Sequence, residues 1–119
     1  MKQNIEQIEI NGVAYVRADS VAQAKPSAMH MVRTYSAGVF YGEIVKREGR
    51  EVTLKNARRV WYWKGAASLS QLAQSGTSCP NECKFPEPVS EVLLLEVIEI
   101  IPITDGALKI LNAVPVWKQ

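Results

Sequence analysis

The sequence predicts an α+β fold: a predominantly antiparallel β-sheet with two short α-helices, plus an N-terminal β-hairpin extension. Three observations predict it. Runs rich in β-branched and aromatic residues are separated by glycine-bearing turns. Two segments carry helix start and stop signals. Near the N-terminus, Asn11-Gly12 stands between alternating apolar residues, the strongest short hairpin signal because both turn residues tolerate positive φ.

In chain order, "IEINGVAYV" supplies that hairpin, with Ile8, Ile10, Val13 and Tyr15 as its apolar members. The following "RADSVAQAKPSAMH" is rich in alanine and polar residues and is interrupted by Pro26, so it reads as a linker or a short frayed helix. The expected organisation is therefore a hairpin and linker over 1–30 and a main domain over 31–119. Within "MVRTYSAGVFYGEIVKREGREVTLKNARRVWYW", the breaks at "SAG" and at Gly49 define a three-stranded meander that Gly65 ends. Ser68 is the expected N-cap of a helix carrying Leu69 and Leu72, and Gly76 its stop. An irregular loop with Pro80, Pro86 and Pro88 leads into "SEVLLLEVIEIIPI", a long strand with two apolar faces, expected to be central or shared with another subunit. Thr104 and Asp105 cap a second helix, "DGALKILN", and Pro115 to Trp117 read as a final strand.

At 119 residues the chain supports one core rather than two. A net charge of +2 is too mild for a protein that coats duplex DNA, which needs many phosphate contacts, but suits a single small anionic ligand. The longest apolar run, "VLLLEVIEIIPI", is interrupted by Glu96 and Glu99 and is too short for a bilayer span, and the N-terminus lacks an apolar signal region. A soluble, cytosolic protein is expected, with no membrane and no DNA partner. Cys79, Cys83 and the single histidine, His30, form neither a disulfide framework nor a zinc set. No phosphate-transfer loop and no nucleophile with a base and orienting group is visible. The expectation is a non-enzymatic protein without metal or cofactor.

The segment "NARRVWYWKGAA" carries the main candidate site. Strand alternation gives Val52, Leu54, Val60 and Tyr62 one parity, the expected core side. Arg59, Trp61 and Trp63 take the other, beside Arg58 of the core-side parity, unless a bulge near Asn56 shifts the phase. The tryptophans can simply pack under the first helix or against a second subunit, with Arg59 across an indole. They can also hold a nucleotide, since a base stacks on an aromatic ring and a guanidinium grips a phosphate through two parallel hydrogen bonds. A second candidate is "RTYSAGVFYG": Ser36, Ala37 and Gly38 allow close backbone approach and an anion-binding nest beside Arg33, or form a plain hairpin turn. Phe85, between Lys84 and Pro86, is either a stacking lid or a hydrophobic plug.

Beyond these patterns, "VRTYSAGVFYGEIVKREGREVTLKNARRVWYWKGAASLSQLA", "CKFPEPVSEV", "IEIIPIT" and the closing "VPVWK" resemble a family of small phage and prophage proteins that includes the anti-Thoeris sponges. The likeness runs from about Met31 to Lys118. It implies a phage protein acting in the cytoplasm of the infected bacterial host, where it binds cyclic ADP-ribose isomers without cleaving them. It further implies binding of cyclic di- or trinucleotides of CBASS immunity at a second site, and a homo-oligomer: dimers that assemble into hexamers with ligand pockets at subunit interfaces. By the same resemblance, the arginines of "NARRVWYW" and Phe85 belong to the cyclic ADP-ribose pocket, and Arg33 with the "SAG" turn to the second site. The competing expectation is a phage accessory module whose aromatic face binds another protein or builds an oligomer, because interfaces favour the same residue types.

Overall fold

A computed structural model describes residues 26–119, so the expected hairpin over residues 8–16 lies outside the described residues. Five antiparallel strands form one sheet: β1 (Pro26–Thr34), β2 (Val39–Glu48), β3 (Glu51–Val60), β4 (Val89–Leu94) and β5 (Val97–Thr104), in the order β4-β3-β2-β1-β5. Two helices, α1 (Leu69–Ser75) and α2 (Asp105–Asn112), complete it, with a single 3-10 turn at Pro80–Glu82. The fold class expected from the sequence is the one observed.

The helix boundaries follow from local hydrogen bonding. Ser68 Oγ accepts from the Gln71 N–H at the start of α1, and the Gly76 N–H closes its end on the Leu72 carbonyl. Thr104 Oγ1 accepts from the Ala107 N–H and donates to the Gln74 carbonyl, so one hydroxyl starts α2 and ties it to the end of α1.

Three sequence expectations change. Residues 26–30, read as linker, already pair in β1: His30 lies opposite Gly42 and Pro102. The expected long strand is two strands, separated by Leu95 and Glu96, that occupy opposite edges of the sheet rather than its centre. The final strand is only a bridge, Phe85 to Val116.

The split strand dictates the shape. Laid flat, the edges of a five-stranded sheet stand about 19 Å apart, at about 4.8 Å per step. Leu94 and Val97 are three residues apart and span at most about 11 Å. The sheet must therefore curl, and it does: the Val97 N–H bonds the carbonyl of Arg50 at the β2–β3 tip, and the Tyr35 N–H bonds Glu96. Pairing between β2 and β3 shifts register twice, once at Asn56, whose φ of 52° marks a bulge. That bulge fits because Gly42 lies beneath it; a Cβ there would meet Ala57 Cα and the Lys55 carbonyl at 3.1 Å.

Curling produces two apolar clusters instead of the single core face expected. Inside the curl lie Val32, Phe40, Val52, Leu54, Ala57, Leu94 and Val97. Between the opposite face and the helices lie Met31, Tyr41, Val60, Leu72, Phe85, Ile103, Leu111 and Val114. Val52 and Leu54 thus face away from Val60, because the bulge reverses the parity between them.

Candidate functional site

After the bulge, alternation resumes and sends Arg58 and Arg59 to opposite faces of β3. Arg58 pairs with Tyr41 and turns toward the helices; Arg59 pairs with Phe40 and turns into the curl.

Arg58 is buried, and carbonyls surround it. Its Nε donates to Pro86 O at 3.1 Å, Nη2 to Phe85 O at 3.2 Å and Val114 O at 2.8 Å, and Nη1 to Leu111 O at 3.4 Å. Its guanidinium carbon also stands 5.3 Å from the Phe85 ring centroid. No carboxylate among the described residues pairs with it. Four of the five guanidinium N–H groups are used, so one Nη1 donor and an uncompensated charge remain. Arg58 lines a cavity of about 240 Å³ together with Tyr41, Asn56, Asn112, Pro88 and Val116 among others. The Tyr41 hydroxyl donates toward Asn112 Oδ1 at 3.0 Å. Burial pushes this phenol above its ordinary value, an effect Arg58 partly offsets, so Tyr41 is a neutral donor at physiological pH. No acidic side chain lines the cavity.

Arg59 has a different setting. Its guanidinium lies over the Phe40 ring, 4.3 Å from the centroid, and Nη1 donates to the Ala37 carbonyl. That contact ties the first candidate site to the second. The turn itself is closed by Thr34, whose N–H and hydroxyl both reach the Gly38 carbonyl and whose Oγ1 accepts from the Ala37 N–H; Gly38 takes a φ of 94°. Ser36 donates to Glu96 at 2.7 Å, and Arg33 pairs with Glu99 at 2.8 Å. Thr34, Ser36 and Ala37 face Leu93, Leu95 and Glu96 across a cavity of about 420 Å³.

The rings divide as well. Phe85 is fully enclosed, edge-on to Tyr41 at 6.1 Å, so it plugs the core of this chain rather than presenting a stacking face. Trp63 is half-buried beside the helices and donates to the Ala66 carbonyl at 3.2 Å. Trp61 is 61% exposed and stacks on Trp117, with centroids 6.1 Å apart and planes inclined by 16°. Both lie past the end of β3, where Trp61 and Tyr62 bond the Lys84 carbonyl and the Trp117 N–H bonds Phe85 O.

Arg58 and Phe85 are therefore together, Arg59 joins Ser36, Ala37 and Gly38, and Trp61 stacks on Trp117, whose N–H bonds Phe85 O. Tyr41, Asn56, Asn112, Lys84 and Trp117 escaped the sequence reading of the site. The alternation of β2 could have paired Tyr41 with Arg58, but only with the bulge placed; nothing in the sequence signals the fold-back of residues 112–117. Among the described residues no three His, Cys, Asp or Glu side chains gather as a metal set. No helix among them is long and apolar enough to cross a membrane.

Residues 28–111 match the family described as a domain of unknown function (DUF6948), and the chain belongs to that family. No curated protein matches the sequence.

Proposed function

We propose that this chain captures cyclic nucleotide signals, cyclic ADP-ribose isomers first among them, and holds them without cleaving them. The buried Arg58 carries the proposal. A guanidinium satisfied by carbonyls, with no carboxylate against it and a cavity beside it free of acidic lining, keeps a positive potential for an anion that the fold does not itself supply. Tyr41 and Asn112 add neutral hydrogen-bonding groups for ribose or base edges. The sequence resemblance supplies the ligand class.

At about 240 Å³ the Arg58 cavity is smaller than the roughly 300–1,000 Å³ of ordinary ligand sites. Arg59 faces the other side of the sheet, so both arginines reach one ligand only when two copies contribute. Capture therefore takes place at a seam of a homo-oligomer, and Arg33 with the Ser36–Gly38 turn forms the second, cyclic oligonucleotide site. Incubating the protein with a cyclic ADP-ribose isomer, removing free ligand and heating the complex tests this. Intact ligand in the supernatant is the expected result; altered ligand means turnover, and none at all means no capture.

A second reading, an interaction module without a nucleotide, draws on the exposed Tyr35, Leu93, Leu95 and Ile98 around the β4–β5 link. The same experiment separates it, because such a module returns no ligand.

A further inference from the structure

Past the end of β3 the surface changes character. Trp61, Tyr62, Val116 and Trp117 are all exposed, at 61%, 46%, 45% and 36%. Such a cluster of rings in water forgoes burial that the core could have given, and contiguous exposed apolar surface of this kind marks binding surface. The rings are not loosely placed. The bonds of residues 61 and 62 to Lys84, and of Trp117 to Phe85, fix three short chain segments side by side.

Charge indicates the occupant. The Lys84 ammonium stands 5.8 Å from the Tyr62 centroid and 5.5 Å from that of Trp117. The two ion pairs among the described residues are Arg33–Glu99 and Lys64–Glu82, so Lys84 has a ring partner on either side and no acidic one. Lys118 follows Trp117 directly and is exposed. Flat rings with near-parallel planes and a cation at their margin complement a ligand that is flat, aromatic and anionic at one end. A protein partner fits less well, since a stable interface engages about 20–30 residues a side and this patch has three aromatic side chains and Val116.

We propose that Trp61 and Trp117, with Tyr62 and Lys84, form a stacking platform for a nucleobase whose phosphate is held by Lys84. The platform adjoins the Arg58 cavity at Val116, which lines that cavity, but its ligand stacks on the exposed rings and does not depend on capture of a cyclic ligand there. The same chemistry is offered by a free mononucleotide and by single-stranded nucleic acid, and base stacking on aromatics tolerates either.

Titrating the full chain with adenosine monophosphate, and separately with a short single-stranded oligodeoxyadenylate, while following tryptophan fluorescence tests the platform. Saturable quenching is expected. Similar affinities for the two identify a mononucleotide site; much tighter oligonucleotide binding identifies single strands. Trp61→Ala should weaken binding about tenfold, and Trp61→Phe should recover most of it. Lys84→Ala should weaken binding and lower the log–log salt slope by about one. Trp61 is exposed, so thermal melting should confirm that its variants fold. Absence of quenching by either probe, or quenching that Trp61→Ala and Lys84→Ala leave unchanged, overturns the proposal. So does a Trp61→Ala variant that dissociates an oligomer while binding nucleotide normally, which would make the patch an interface between copies.

Discussion

Arg58 and Arg59 are neighbours in the chain and opposites in the molecule. Arg58 donates to carbonyls of Phe85, Pro86, Leu111 and Val114, drawing the proline loop and the C-terminal segment onto the sheet. Arg59 lies half-exposed across Phe40 and reaches one carbonyl of a surface turn. The same side chain is thus a buried clamp that also charges the cavity beside it on one face, and a half-exposed cation on the other. A guanidinium's role is set by what its donors meet, and on a strand that changes with every residue.

Substitutions can break or sharpen this contrast. The largest expected effect lies under the clamp: Phe85→Ala empties a fully enclosed site and should cost roughly 3 to 5 kcal/mol in denaturant unfolding. Arg58→Met keeps the aliphatic stem but leaves the Pro86 and Val114 carbonyls without their donor and the Phe85 carbonyl with the Trp117 N–H alone, for a loss of roughly 2 to 4 kcal/mol. Tyr41→Phe should cost about 1 kcal/mol by removing the phenol's bond to Asn112. It should also change the alkaline limb of stability. The folded-state phenol titrates above its ordinary 10.0, so its contribution is full below that pH and is lost as pH rises through the folded value. The Phe variant should lack this component.

On the other face, stability should hardly move while binding does. Arg59→Ala should lower stability by less than about 1 kcal/mol yet abolish uptake of the cyclic ADP-ribose isomer. A loss matching that of Arg58→Met would erase the distinction between the two arginines. The smallest stability change belongs to Arg33→Ala, which removes an exposed ion pair with Glu99, and should be a few tenths of a kcal/mol. Its effect should be confined to cyclic oligonucleotide binding; equal loss of both ligand classes would merge the two sites.

Local chemistry made much of the fold legible. Ser68 and Thr104 cap the helices as their side chains require, and Gly38 and Gly49 take positive φ in the turns of the meander. What stayed hidden depended on distance in the chain. Hydropathy cannot show that "SEVLLLEVIEIIPI" bends at Leu95 and Glu96 to serve both edges, since each half alone reads as one apolar strand. The sequence allows a bulge near Asn56, but whether it occurs is decided by Gly42 across the ladder. Without it, Arg58 and Arg59 cannot be assigned to cores. The Arg58 cavity needs residues 112–116 folded back over β3, a long-range contact with no local signature.

Calorimetric titration of the purified full chain with a cyclic ADP-ribose isomer, with the Arg59→Ala variant in parallel, tests the central claim most directly. The account predicts saturable heat, ligand recovered chemically intact, and a variant that melts like the parent but gives no binding heat. A parent that yields no heat, or returns a chemically changed ligand, contradicts it.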